Sequence, residues 1–326
     1  MLAGIQLTDP DLSARVAAGL GRVEDLLERE LISEFSFVTE AASHLMHAGG
    51  KRFRPLFTLV AAGVGPRPDA EEVVVASAVV ELIHLATLYH DDVMDEAQIR
   101  RGAKSANARW DNSIAILTGD FLFAHASRLV ASLGEDAVRI IAETFAELVT
   151  GQTRETVGPG PDEDPIDHHL RVLDEKTASL IDTCARYAGI FSGAPEEHVL
   201  ALRRYGRAVG VAFQISDDIL DICSTDSGKT PGTDLREGVQ TLPALYTLGD
   251  PAADPRLREL VAGPIRSETD LAEAVTLLTA SPGMATARQT LSGYADAAAA
   301  ELALLPDSSA KEALASLVRY VMDRTR

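Results

Sequence analysis

His90-Asp91-Asp92-Val93-Met94-Asp95 closes a long apolar stretch that opens near Pro68, and Gln214-Ile215-Ser216-Asp217-Asp218-Ile219-Leu220-Asp221 echoes it far downstream. Neither stretch alternates polar and apolar residues as a half-buried strand would. Both space their carboxylates by three and four residues, the period of a helix. Asp91 and Asp95 therefore lie one turn apart on one face, and Gln214, Asp217, Asp218 and Asp221 share one stripe. The first box sits at the C-terminal end of its helix, where the dipole prefers cations, and its three carboxylates repel one another. A bound cation would resolve both conflicts. Mg²⁺ takes oxygen ligands and is usually held by one or two carboxylates plus substrate phosphates, so two such boxes, if they meet, suggest a site for a diphosphate. A solvated acidic helix face has the same spacing, and the boxes alone leave both readings open.

Outward from the boxes the helical period continues, which predicts an all-α chain. Leu12, Val16, Leu20, Val23, Leu27 and Leu31 mark a first helix over about 11–31, and a second runs over about 33–47 to Gly49-Gly50. Pro68-Asp69-Ala70-Glu71-Glu72 predicts a helix start with Asp69 as N-cap, and this helix reaches about residue 96. Further helices are expected at about 111–132, 135–157, 166–192 and 195–224, with a loop at Gly158–Pro165. Residues 224–240, rich in glycine and polar side chains, predict a long irregular loop of the kind that often forms a lid. The remainder predicts four or five shorter helices. No linker and no solenoid repeat is visible, so one domain over 1–326 is expected, with the motifs in 49–243 and helices alone in 244–326.

A formal charge of −19, from 49 acidic and 30 basic residues, argues against a nucleic-acid partner, whose affinity would be built from Lys and Arg contacts. An anionic substrate must instead meet a local basic cluster. The two cysteines, Cys184 and Cys223, sit in apolar helical patterns and read as core residues of a cytoplasmic protein rather than as a disulfide. The start, Met1-Leu2-Ala3-Gly4-Ile5-Gln6, lacks the features of a signal peptide. Charges interrupt the apolar runs before the roughly 18 residues of a membrane span, so none is expected.

Several blocks, in order, resemble the trans-isoprenyl diphosphate synthase, or polyprenyl synthetase, family. They are Gly49-Gly50-Lys51-Arg52-Phe53-Arg54-Pro55, Glu81-Leu82-Ile83-His84 leading to the first box, Arg100-Arg101-Gly102, Gly119-Asp120-Phe121-Leu122, Lys176-Thr177-Ala178, Phe213-Gln214-Ile215 leading to the second box, and Gly228-Lys229 with Thr233-Asp234-Leu235-Arg236-Glu237-Gly238. A lone DDxxD box would be weak; the ordered set is specific. The resemblance implies a helical bundle of the isoprenoid synthase type with a central active-site cavity. It also implies a Mg²⁺-dependent trans-prenyltransferase that elongates an allylic diphosphate with isopentenyl diphosphate. In that chemistry an allylic cation forms as diphosphate departs, the double bond of isopentenyl diphosphate attacks it, and a proton is lost. Cations stabilise the leaving charge, and no protein nucleophile is needed.

Carried over position by position, the resemblance makes Asp91, Asp95 and Asp217 the principal ligands of two or three Mg²⁺ ions, with Asp92, Asp218 and Asp221 completing the cage. Lys51, Arg54, His84 and Arg101 would hold isopentenyl diphosphate, and Arg100, Lys176, Thr177, Gln214 and Lys229 would face the allylic substrate. Considered alone, His84 would read as a core histidine and Arg100-Arg101 as a helix C-terminal cap; the matched context assigns them otherwise. The family also implies a homodimer, and at most peripheral membrane contact for product release. One position departs from the pattern: Val239-Gln240 stand where a lysine often precedes Thr-Leu-Pro, and Lys229 and Arg236 are candidates to compensate.

Product length in this family follows from how far a tunnel beneath the first box stays open. No Phe, Tyr or Trp occurs from Asp69 to Leu88. On a helical wheel Ala76, Ser77, Val80 and Thr87 share the face of Asp91, whereas Ala86, though close in sequence, is turned away. An aromatic-free stripe, and a first box without a two-residue insertion, favour a medium or long polyprenyl product. A geranylgeranyl product is the alternative, with Phe121, Phe123 or Phe145 as a floor, and a farnesyl product comes after it. A terpene cyclase would not need the basic block at Lys51–Arg54 or His84, and a non-catalytic regulatory subunit would not need both boxes intact.

Overall fold

Apolar residues at the helical period do become helices along nearly the whole chain. The computed structural model describes residues 3–223 and 231–325. In chain order the helices are α1 (Pro10–Glu30), α2 (Ser36–His47), α3 (Phe53–Ala61) and α4 (Glu71–Met94). A short hairpin follows, β1 (Ile99–Arg100) and β2 (Ala103–Lys104), then α5 (Ala106–Arg109), α6 (Asn112–Ala131), α7 (Glu135–Val157), α8 (Pro165–Val172), α9 (Ser179–Ser192) and α10 (Glu196–Cys223). The last third holds α11 (Thr233–Glu237), α12 (Leu242–Gly249), α13 (Pro255–Val261), α14 (Glu268–Thr279), α15 (Pro282–Ala303) and α16 (Ser309–Asp323).

Four local expectations are corrected. Asp69 does not cap α4: a turn closed from Ala70 N–H to the Arg67 carbonyl carries Asp69 past the cap position, and Ala70 caps without a side-chain bond. Glu71 and Glu72 in the first turn still complement the helix dipole. Strand is present in β1 and β2, paired antiparallel with Ile99 opposite Lys104 and joined by left-handed Arg101 (φ 54°) and Gly102 (φ 77°). Two-residue strands are too short for any period to reveal. The helix expected over 166–192 contains a π-helical turn at Leu173–Ala178 between α8 and α9. The irregular loop holds a helical turn, α11, and the rest of that segment, with Lys229, lies outside the described residues.

By length and mean composition α4 and α6 could each cross a membrane, although Glu81 in α4 and Asp120 and Arg128 in α6 interrupt their apolar runs. Their context differs from a span's. The apolar window of α4 is 78% buried inside the protein, with Val73 through Val80 forming its core, apart from a partly exposed Val75. That of α6 is 33% buried, leaving Ile116 and Leu117 exposed.

Contacts group the chain into two compact units. The first comprises residues up to Ala146, Leu180–Arg203 and Leu304–Leu314. At its centre α4 packs against α6, α3 and α1, and α2 and α5 pack on α6. Tyr89, fully buried on α4, ties α2 to this core by donating to the Ala41 carbonyl (2.5 Å) and accepting from Leu45 N–H (3.1 Å). The second unit comprises Glu147–Ser179, Arg204–Ala303 and the segment from Ala315. There α12 packs on α15, α13 and α8, and α13 packs on α14.

Candidate active site

In the first unit the α2–α3 connection carries Lys51, the start of α3 carries Arg54, the C-terminal half of α4 carries His84, Asp91 and Asp92 with Asp95 as its cap, and the hairpin carries Arg100 and Arg101. Two of the connections use backbone that side chains rarely adopt. Arg52 caps α3 at φ 44°, which turns its guanidinium back onto Glu24 (2.5 Å), the Met46 carbonyl (3.0 Å) and Glu81 (3.6 Å). Gly50 sits at φ 133°, and a Cβ there would stand 2.9 Å from Cζ of Arg101. Arg101 Nη1 donates to the Leu45 and Gly49 carbonyls (2.9 and 2.6 Å), fastening the hairpin turn to the end of α2.

The electrostatics follow from burial. Glu81 is 1% exposed among Arg52, Arg54 and Arg101; burial pushes its carboxyl up while the three guanidinium groups oppose that. Nε of Arg54 is buried without a hydrogen-bond partner. Burial, reinforced by Arg54, Arg101, Arg100 and Arg52, drives His84 well below the ordinary histidine value, so its imidazole is neutral at physiological pH. A cluster of cations with a neutral imidazole beside it offers a phosphate group both positive charge and an uncharged N–H donor.

The three carboxylates of the first box are not equivalent. Asp92 is fully buried, accepts from Arg100 Nε (2.6 Å), and is raised by burial against the pull of Arg100. It holds Arg100 by this bond, and Arg100 Nη2 also reaches Asp95 at 3.7 Å. Asp91 is half-buried and Asp95 exposed, joined as one helical turn by the bond from Asp95 N–H to the Asp91 carbonyl (2.8 Å).

The second unit carries Lys176, Thr177, Gln214, Asp217, Asp218 and Asp221. Lys176 and Thr177 lie in the π-helical turn, with Lys176 paired to Glu155. On α10, Asp218 accepts from Leu242 N–H (3.1 Å) and pairs with His169 (2.8 Å), and Asp221 accepts from Asp234 N–H (3.1 Å), so the box anchors the starts of α11 and α12. Asp217 is 46% exposed and pairs with Arg324 (2.7 Å). Arg324 also donates to Ser216 Oγ (2.5 Å) and the Phe213 carbonyl (2.8 Å) and stacks over the Phe213 ring at 4.1 Å. Arg236, a candidate to replace the missing lysine, is engaged instead by both oxygens of Glu268 (2.7 and 3.0 Å). Val239 is exposed.

The model of the polyprenyl synthetase family matches residues 36–278. The chain belongs to the polyprenyl synthetase family. This polyprenyl synthetase is 57% identical to the nonaprenyl diphosphate synthase of Mycobacterium tuberculosis, over 99% of this chain and 98% of that one. Its fold matches the geranylgeranyl pyrophosphate synthase of Corynebacterium glutamicum, solved with calcium and isoprenyl diphosphate, at a TM-score of 0.89 and 49% identity, covering 98% of this chain and 99% of that one. A decaprenyl diphosphate synthase from Rhodobacter capsulatus matches at 0.86 and 36% identity over 97% and 99% of the two chains. The synthetase is an all-α trans-prenyltransferase.

Glu81, His169 and Arg324 were not singled out from sequence. Glu81 stood inside a matched block, and its place as the one charge in the stretch from Val73 to Ile83 was a usable signal. Arg324 gave none, being isolated near the end of the chain. The donor set fits Mg²⁺: each box offers two oxygen ligands a helical turn apart at partly or fully exposed positions, Asp91 with Asp95 and Asp217 with Asp221. Among the described residues no three metal-ligating side chains converge.

Proposed function

We propose that this synthetase elongates an allylic prenyl diphosphate with isopentenyl diphosphate to a trans-polyprenyl diphosphate of medium or long chain. Lys51, Arg54, His84 and Arg101 hold isopentenyl diphosphate. Lys176, Thr177, Gln214, Arg100 and Lys229 receive the allylic diphosphate, while Asp91, Asp95, Asp217 and Asp221 ligate two or three Mg²⁺ ions. When bound, those ions neutralise charge on the departing diphosphate. Asp92 keeps Arg100 extended, Asp218 fixes His169 and the start of α12, and neutral His84 donates a hydrogen bond without adding charge.

The observation that carries the product length is the buried, aromatic-free stripe on α4. Ala76, Ser77 and Val80 are fully buried and Thr87 is partly exposed, while Ala86, turned off the stripe, is 1% exposed. The hydroxyls of Ser77 and Thr87 donate to their own helix at Val73 (2.8 Å) and His84 (2.9 Å), so the stripe presents carbon to its surroundings. The full-length likeness to a nonaprenyl synthase points the same way. The similarly full-length likeness to a geranylgeranyl synthase keeps a shorter product as the second reading, with Phe123 and Phe145 stacked at 4.4 Å as its floor. The exposed apolar face of α6, with Ile116 and Leu117, supports a homodimer, the two unpaired cysteines are in keeping with a cytoplasmic enzyme, and the lack of a linker in the sequence is the ground for reading 1–326 as one catalytic domain. Incubating the pure chain with Mg²⁺, isopentenyl diphosphate and farnesyl diphosphate tests the whole reading. Products beyond the C20 length support it, a cyclic hydrocarbon would make it a cyclase, and no turnover would leave a non-catalytic subunit.

A further inference from the structure

The π-helical turn at Leu173–Ala178 is held from both sides by charged side chains that the reaction does not use. Arg207 on α10 grips Asp174 with a fork, Nε to Oδ1 at 2.7 Å and Nη2 to Oδ2 at 2.6 Å, and the same Nη2 reaches Glu147 on α7. Arg154 on α7 grips Glu175 in the same way, at 3.0 and 3.3 Å. Between these grips α7 comes so close to the turn that only glycine fits. A Cβ on Gly151 would stand 2.5 Å from the Lys176 nitrogen and 2.8 Å from Glu175 Cβ.

A π turn is rare and is usually retained where it serves a site. It also sets direction, because one residue fewer in the turn rotates everything beyond it by about 100° around the axis. Lys176 and Thr177 lie inside the turn, directly after the two gripped carboxylates. Their aim therefore depends on the backbone staying π-helical, and the two forks and the Gly151 approach are the restraints that keep it so.

We propose that Arg207, acting through Asp174, is a positioning residue that locks the π-helical turn in the register presenting Lys176 and Thr177 to the allylic diphosphate, with Arg154 and Gly151 as companion restraints. The inference rests on the assignment of Lys176 and Thr177 to that diphosphate. Arginine is required because a fork matches a carboxylate in two places and fixes orientation; lysine keeps the charge and loses the fork.

The test is steady-state kinetics on the full chain with each substrate varied in turn, for Arg207→Lys, Arg207→Gln, Asp174→Asn, the Arg207→Gln/Asp174→Asn double variant and Lys176→Met. Thermal melts accompany every variant. Arg207→Lys and Arg207→Gln are expected to raise the allylic KM by about tenfold, the size of a lost charge-assisted contact. The KM for isopentenyl diphosphate should stay within about twofold, a split that loose packing in general would not give. The double variant should lose no more than the worse single, because the two residues act as one unit. If Lys176→Met leaves the allylic KM unchanged, the assignment of the site fails and takes the inference with it. If Lys176→Met raises it while the Arg207 variants leave it unchanged or raise both KM values equally, the site assignment stands and the positioning role is overturned.

Discussion

Removing Arg100 should strip a buried carboxylate of its cation, and the loss should be measurable as a coupling to Asp92. Asp92 is fully buried and its Oδ1 lies 2.6 Å from Arg100 Nε, a charge-assisted bond. Such bonds contribute about 1.5–3 kcal/mol, and breaking a buried pair from one side costs about 3–5 kcal/mol. The Arg100 side chain is 30% exposed, so solvent screens part of its side of the pair and the lower figure applies: about 3 kcal/mol for Arg100→Met. Asp92→Asn keeps the shape and removes the charge, and should cost about 1 kcal/mol. In the double variant no charge is stranded, so the coupling should be about 2 kcal/mol, read from urea unfolding of all four proteins.

The pH dependence supplies an internal check. The folded-state carboxyl of Asp92 is raised, chiefly by burial, and rises further once Arg100 is gone. A raised carboxyl binds its proton more tightly in the folded state, so stability is greatest below the unfolded value and is lost as pH rises through the folded one. The Arg100→Met penalty should therefore be smaller at pH 5 than at pH 8, and the Asp92→Asn background should remove that difference. Single-variant costs that add to within about 0.5 kcal/mol, or a penalty flat with pH, would refute the reasoning.

Other consequences follow from the same sites. Thr87→Phe, or Ser77→Phe should it fail, is expected to shorten the products seen by chromatography; unchanged chromatograms from both would remove α4 as the tunnel wall. His84 is held neutral, so the KM for isopentenyl diphosphate should show no histidine break between pH 7 and 8.5, and His84→Gln should retain binding that His84→Ala loses. A break that disappears in His84→Gln would count against a neutral imidazole. Val239→Lys, at an exposed position, should lower the allylic KM with little change in melting temperature, and an unchanged KM would mean that the family's usual lysine is not missed here. Mg²⁺ with inorganic diphosphate near 100 times its Kd should stabilise the chain by about 2.7 kcal/mol and raise the melting temperature by about 4 °C. Excess EDTA or Asp91→Asn/Asp95→Asn should cancel that shift; persistence in EDTA would mean that diphosphate binds without metal, and persistence in the double variant would place the ions elsewhere.

What could be read from sequence was whatever repeats along a helix. The apolar core of α4 from Val73 to Ala86, the two boxes and the order of the basic blocks all announced themselves by period or by spacing. Features that depend on one residue did not. A single extra residue in the turn at Leu173–Ala178 is lost within a long window that reads 3.6 on average. The hairpin at Arg100–Arg101 has strands too short for alternation to show, yet it aims Arg100 at Asp92 and Arg101 at the end of α2. Asp69 had the right residue type for a cap and the wrong place, because the turn from Arg67 had already taken it. Charge partners far apart in sequence, such as Arg324 with Asp217 or His169 with Asp218, carry no local mark at all.

The position of Arg324 has a practical side for anyone handling the enzyme. Its guanidinium touches the second acidic box from a point two residues short of the end of the sequence given. An affinity handle or reporter inserted directly after Arg324 would adjoin a side chain in contact with a candidate metal ligand, whereas one ahead of α1 would lie outside every contact described for either box. Kinetic and metal-binding comparisons should therefore use material tagged at the amino end, or cleaved free of any tag.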